Sequence, residues 1–240
     1  MIPTRPSLTP REQRLTEGVI THLPLFAGVP PQGIQVVARR CSILDACRGD
    51  VIAPRGTRLA GVFAVAYGTV KLALRSADAE QRVLRVLAAG HTFGEPYALL
   101  ARPCGYDALA VTECKLVVMP AEAISDCAER YPRFSRNLLT ALAECSLDLL
   151  ATFEAATLLR GAQRLASYLD GLAGPNGAPG RIVIQLPVSK TMLAAQLGVK
   201  KETLSRLLRQ LAVRGLIEVS RREVAILDRQ GLTASVSATA

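Results

Sequence analysis

Residues 189–211 read SKTMLAAQLGVKKETLSRLLRQL, and this stretch constrains the fold more than any other. Met192, Leu193 and Leu197 share one side of a first short helix, Gly198 supplies a tight turn, and Leu204, Leu207, Leu208 and Leu211 recur at three-to-four spacing along a second. Two amphipathic helices meeting at a Gly-Val turn make a helix-turn-helix. The second helix keeps another face free, and on it stand Glu202, Ser205, Arg206 and Arg209, close to the end that such a helix presents to base edges in the major groove. The residue types suit that task. An arginine can bond O6 and N7 of guanine, a glutamate can accept from the cytosine amino group, and a serine can bond either kind of edge. Glu202, Ser205 and Arg206 are therefore the expected base-reading residues; the competing reading is an ordinary exposed ion pair between Glu202 and Arg206, four positions apart.

Charge clusters around the same motif. The chain carries 29 basic and 20 acidic residues, and from Arg160 onward there are 12 basic against 5 acidic, +7 of the total +9. A basic segment displaces counterions from the phosphate backbone and supplies affinity without sequence information. Ser189, Lys190, Lys200, Lys201, Thr203, Arg209, Arg221 and Arg222 are the expected backbone contacts. Residues 216–219 and 224–227 read as two short strands around the basic turn Ser-Arg-Arg-Glu, a wing, and residues 181–186 (RIVIQL) as a strand preceding the motif after the Gly/Pro loop at 171–180. These elements define a winged helix-turn-helix domain over 160–231, with 232–240 expected to be a mobile tail.

The amino-terminal half has a different grammar. Glycines recur at turn positions between apolar runs at 61–67, 70–75, 81–87 and 115–119, the pattern of a barrel or sandwich over 18–131, preceded by an expected mobile segment at 1–17. Between the halves, residues 132–159 read as one long helix. Leu138, Leu142, Cys145, Leu149, Thr152, Ala156 and Leu159 alternate four and three apart, as a seam between two copies requires, and Leu139, Leu150 and Phe153 form an adjacent stripe that could face the barrel. Two stripes imply two partners, so a homodimer through this helix is expected. No apolar run of about eighteen residues and no charged-then-apolar leader is present, so the chain is expected in the cytoplasm with no membrane partner. An enzyme is not expected: barrel enzymes need converging ligands, and the chain has only His22 and His91, far apart in sequence.

The run GVKKETLSRLLRQLAVRGLIEV, with RGDVIAPRGT, VAYGTVKLAL and AGHTFGE in that order upstream, resembles the CRP/FNR superfamily of bacterial transcription regulators over nearly the whole chain. The resemblance implies an α+β chain: an amino-terminal jelly-roll β-barrel like the cyclic-nucleotide-binding domains, a central dimerisation helix and a carboxyl-terminal winged helix-turn-helix. It further implies a homodimer on double-stranded DNA, with RNA polymerase as a partner. The Glu202-x-x-Ser205-Arg206 pattern is closer to the FNR and Dnr branches, which implies palindromes with TTGAT-type half-sites. One departure stands out, since family members often have Ser or Thr where this chain has Lys200, and losing such a helix cap typically costs about 1 kcal/mol.

The signal is less legible. Cyclic-nucleotide-binding relatives carry a Gly-Glu pair followed by an Arg-Ser pair whose arginine neutralises the phosphate. Here Gly94 and Glu95 are present, but PYALLARPCGYDALAV has no Arg-Ser, leaving Gly94, Glu95, Arg102 and Cys104 as the candidate effector pocket. A cyclic nucleotide is therefore the secondary reading, because a buried phosphate without a positioned cation is poorly compensated. The six cysteines show no CxxC pair and residues 1–40 contain none, which argues against an iron–sulfur cluster; Cys104, in a Pro-Cys-Gly context, is the candidate reactive thiol. Similarity to Dnr-like nitric oxide regulators makes His22 or His91 a candidate haem ligand, given an apolar pocket. The expected signal is thus a small molecule, a gas on haem, or a redox change.

Overall fold

A computed structural model describes residues 8–75, 81–158, 161–174 and 181–237, the side chains of 155–158 and 236–237 excepted. Contacts divide the chain into two units, residues 1–147 and 148–240.

The first unit opens with α1 (Pro10–Thr21), where the sequence suggested a mobile segment. The cause is local: Thr9 and Glu12 form a capping box, Thr9 N donating to Glu12 Oε2 at 2.8 Å and Glu12 N to Thr9 Oγ1 at 3.3 Å, with Pro10 in the first helical position. Thr16 and Ile20 are fully buried, so the helix is also held by packing. After a 3₁₀ turn at Pro24–Phe26 come α2 (Pro31–Ala38), β1 (Ser42–Ala46), β2 (Val51–Ala53), β3 (Val62–Tyr67), β4 (Thr69–Arg75), β5 (Gln81–Ala88), β6 (Thr92–Phe93), α3 (Glu95–Leu99), β7 (Asp107–Ala110), β8 (Cys114–Met119), α4 (Ala121–Arg130) and α5 (Pro132–Leu158). The strands form two four-stranded sheets, ordered β1-β8-β3-β6 and β2-β7-β4-β5, with antiparallel pairing throughout. Leu44, Phe63, Val65 and Leu116 from one sheet meet Val70, Leu72, Leu87 and Ala108 from the other in a shared core. Gly68, at φ 91°, makes the β3–β4 turn, and a Cβ there would strike the Glu113 carbonyl. A second core joins the helices to the barrel through Ile20, Phe26, Val37, Met119, Ile124 and Phe134.

The long helix is present, but the first part of the expected seam faces inward and the adjacent stripe, expected against the barrel, is exposed. Leu138 is buried in the helical core of its own unit, Leu142 packs against that core, and Cys145 is half-buried, whereas Leu139 and Leu150 are 68% and 64% exposed. Both stripes satisfy the same spacing. Phe134 decides between them: its ring lies 4.8 Å from that of Phe26 and fixes which side of α5 faces inward. Of the remaining expected seam residues, Leu149 and Thr152 are exposed, Ala156 lies outside the residues whose side chains are described, and Leu159 lies outside the described residues altogether.

The second unit continues with α6 (Gly161–Ala173), β9 (Ile182–Gln185), α7 (Lys190–Leu197), α8 (Lys201–Val213), β10 (Ile217–Ser220), β11 (Glu223–Ile226) and α9 (Arg229–Ser237). Its sheet has the order β10-β11-β9, all antiparallel. Leu165, Leu169, Leu193, Leu204, Ile217, Val224 and Leu232 are almost fully buried and supply its core. The expected mobile tail is instead largely helix α9: Leu232 is buried, and Arg229 donates to Asp170 Oδ1 at 2.6 Å and to the Gly174 carbonyl at 2.7 Å. Among the described residues no helix is long and apolar enough to cross a membrane.

Candidate nucleic-acid interface

The helix-turn-helix is built from its caps inward. Ser189 stands at the start of α7 with φ −66° and ψ 155°, its hydroxyl accepting from Met192 N at 3.3 Å. Gly198 ends the helix at φ 63°, a left-handed conformation that favours glycine, and Val199 N returns to the Ala194 carbonyl at 3.0 Å. Arg164, which the sequence did not single out, donates from Nε to the Leu197 carbonyl at 3.0 Å and so satisfies an orphan acceptor at the end of α7. Nothing in the local sequence signals this contact, because the two residues lie on different helices. In α8, Leu204, Leu207, Leu208 and Leu211 are all buried, as their spacing predicts. The opposite face is therefore outward, with Glu202, Ser205, Arg206 and Arg209 exposed.

The competing ion-pair reading is not realised in this structure: among the described residues Glu202 and Arg206 make no ion pair, with each other or otherwise. Ser205 Oγ donates to the Lys201 carbonyl at 3.1 Å, which leaves its lone pairs outward. Lys200 caps α8 with its backbone alone; no side-chain cap bond forms there. Lys200, Lys201 and Arg209 are exposed and Lys190 and Thr203 half-buried, all on or beside the two helices.

The wing is a hairpin in which Ser220 pairs with Glu223 across a turn made by Arg221 and Arg222. Arg221 sits at φ 50°, a position where such a turn usually takes glycine, so its exposed side chain is held at the tip by a strained backbone. Arg222 is already engaged, donating to the Leu186 and Pro187 carbonyls at 3.4 and 3.5 Å.

The barrel residues expected to form an effector pocket are only partly assembled. Gly94, at φ 93°, starts α3, and Glu95 follows half-buried. Arg102, however, is exposed on the loop and supplies no inward cation. Cys104 is 2% exposed, donates its thiol to the Tyr106 carbonyl at 3.2 Å, and is pushed up in pKa mainly by burial. It thus lacks the exposure and acidity that a reactive thiol needs. Two tyrosines with no signal in the local sequence close this region, the rings of Tyr97 and Tyr106 meeting edge to face at 5.4 Å, while Gly105 has no room for a Cβ beneath the Tyr97 hydroxyl. Burial raises the Tyr106 phenol, and the thiol of Cys104 and the carboxylate of Glu95 push it the same way. A cyclic phosphate would meet aromatic rings and a carboxylate there.

Haem also finds no seat on either candidate ligand. His22 and His91 are both exposed, with Nδ1 against the Gly18 carbonyl at 2.7 Å and the Ala88 carbonyl at 3.1 Å respectively, so neither projects into an apolar pocket. Among the described residues no three His, Cys, Asp or Glu side chains come together as a metal site. Cys41 and Cys127 are core thiols, pushed up by burial to about 12 and about 11.

A winged helix-turn-helix with an exposed polar and basic face, carried on the same chain as a two-sheet antiparallel barrel, defines a DNA-binding transcription regulator with a sensor-like domain. Comparison with known proteins narrows the class. Residues 163–235 match the Crp-like helix-turn-helix domain model, and residues 44–131 match the cyclic nucleotide-binding domain model. The "Probable transcriptional regulator flp" of Lacticaseibacillus casei is 30% identical over 177 residues, covering 72% of this chain and 78% of flp. The chain belongs to the CRP/FNR family of transcription regulators. It is also 23% identical over 221 residues to a CRP-like cAMP-activated global transcriptional regulator of Mycobacterium tuberculosis, covering 89% of this chain and 96% of that protein. In fold it is similar to a CooA mutant from Carboxydothermus hydrogenoformans, with a TM-score of 0.72 and 21% identity over 81% of this chain and 87% of that one.

Proposed function

We propose that two copies of this chain pair through α5 and bind a palindrome with TTGAT-type half-sites, switching transcription in response to a signal received by the barrel. The observation that carries the reading is the outward face of α8, where Glu202, Ser205 and Arg206 are exposed opposite a buried leucine row and make no ion pairs among the described residues. Lys190, Lys200, Lys201, Thr203, Arg209 and the wing-tip Arg221 hold the phosphates; Ser189 contributes its exposed backbone end, and Arg222 must leave its carbonyl partners to join them. Dimerisation runs through Leu139, Ala143, Ser146 and Leu150, which keep the four-three-four rhythm of a helical seam and are all exposed in the single chain. A two-fold axis along that seam would set two recognition helices about one DNA turn, ~34 Å, apart. RNA polymerase is the downstream partner, and the reading places the protein on chromosomal DNA in the cytoplasm.

The test is a gel-shift titration of the purified protein on TTGATNNNNATCAA against a scrambled duplex at fixed salt. A clear preference for the palindrome is expected. Equal affinity for both would refute the half-site assignment, and a monomer by light scattering would refute the pairing.

A further inference from the structure

Two helices of the first unit, α2 and α4, are joined at both ends of their contact and open between. Arg40, just past the end of α2, donates to Asp126 Oδ2 of α4 and, at 3.5 Å, to Glu122 Oε2. Gly33, near the start of α2, lies under the ring of Tyr131, so close that a Cβ there would stand 2.7 Å from Tyr131 Cζ. Between the ion pairs and the ring lies a cleft of about 430 Å³, within the range of small-ligand sites, roughly 300–1,000 Å³. Its floor is apolar. Val37 and Cys127 are 2% and 3% exposed, and burial raises the Cys127 thiol to about 11, so the sulfur carries no charge at neutral pH. Val36, 46% exposed, forms the open lip. The rim sets two cations, Arg40 and Arg130, against two carboxylates, Asp126 and Glu129. A charged ligand would therefore meet a like charge beside each opposite one, whereas a neutral aromatic body gains from the thiol at its edge and a guanidinium over its face.

We propose that this cleft is an effector site outside the barrel, taking a neutral aromatic molecule of one or two rings and bearing on the joint between α4 and α5. The inference rests on the reading of the first unit as a sensor; it names the class of ligand and seats it on the helices rather than between the sheets. Tyr131 supplies the outlet. Its backbone, at φ −123° and ψ 98°, is the non-helical residue between α4 and α5, and its amide donates to the Cys127 carbonyl at 2.9 Å. An occupant of the cleft thus touches both the ring carried by the joint and the residue that holds its amide, and α5, which starts at Pro132, is the helix of the proposed dimer seam.

The full-length protein is titrated with indole by calorimetry, and backbone hydrogen exchange is measured with and without it. Saturable binding at a single site is expected, with added protection in α2 and in residues 127–135. Val36→Asp, a change on the exposed lip that leaves the core intact, is expected to weaken binding by about tenfold or more, because it sets a carboxylate against an apolar ligand. Indole-3-acetate, the same rings bearing a carboxylate, is expected to bind more weakly than indole. Absence of saturable indole binding, undiminished binding in Val36→Asp, protection confined to other segments, or equal or tighter binding of indole-3-acetate overturns the proposal. Every readout is taken without DNA, so failure of this site is scored separately from failure of the half-site reading.

Discussion

Substituting Lys200 by serine is expected to make the protein more stable and a weaker DNA binder at once. Lys200 occupies the cap of α8 at φ −69° and ψ 152°, within a few degrees of the φ −66° and ψ 155° at which Ser189 already caps α7. A serine hydroxyl at 200 would therefore reach the Thr203 amide as the Ser189 hydroxyl reaches that of Met192, with no change of backbone. Filling an empty cap is worth about 1 kcal/mol, with a range of roughly 0.5–2. For a chain of this size that corresponds to a rise in Tm of about 2–4 °C. The same change deletes one proposed phosphate contact per subunit, two per dimer, which lowers the slope of log K against log salt by about 1.8. Lys200→Ala separates the effects, since it removes the charge without supplying a cap: the salt slope should fall as in the serine variant while Tm does not rise. Differential scanning fluorimetry and a salt titration of DNA affinity give both quantities. A serine variant that is no more stable than the alanine variant, or one whose salt slope matches wild type, would refute the reasoning.

Three further outcomes are expected. Arg206→Ala should relax preference at one guanine by about 1–3 kcal/mol, whereas Lys201→Ala should weaken cognate and scrambled duplexes alike, as read by competition titration. Leu150→Glu should leave a folded monomer in light scattering, because that side chain is 64% exposed; Leu138→Ala should instead lower Tm through a cavity costing about 2–5 kcal/mol, because that side chain is 8% exposed. Burial holds the Cys41 thiol neutral, raising it from the ordinary 9.0 to about 12, so the folded state keeps a proton that the unfolded chain loses. This contribution is complete below pH 9 and disappears as pH climbs towards 12; Tm measured across that window should fall more gently in Cys41→Ala, and an identical slope would contradict the burial argument.

The legible parts of the chain were those whose physics is local. Ser189 before and Gly198 after bound α7, and leucines every third or fourth residue mark α8, without help from elsewhere, and the wing strands fall within a residue of their expected bounds. The four longest strands of the barrel were readable for the same reason. β2 and β6 have three and two residues, too few to show a period, and β1 places Asp45 outward against Lys115 of β8, a pairing set by a distant strand. The end helices are hidden by the polar and small residues around them, although Thr9, Pro10 and Glu12 spell a capping box for the first. The two stripes of α5 could not be told apart from spacing, since the difference between them is Phe26, more than a hundred residues upstream of Phe134. Arg164 is invisible in the sequence for a related reason: it is defined by a partner on another element.

Gly161 and Arg164 together make the first turn of α6 a chassis for the reading head. A Cβ on Gly161 would lie 3.4 Å from Leu207 of the recognition helix and 3.6 Å from Val199 of the turn, and the Arg164 guanidinium grips the end of α7 one helical turn further on. With side chains in van der Waals reach on one side and a charged clasp on the other, α6, α7 and α8 pack as one unit. The steering of this motif is therefore that of a wheel fixed to its axle, in which a rotation applied to α6 turns the DNA-facing residues through the same angle.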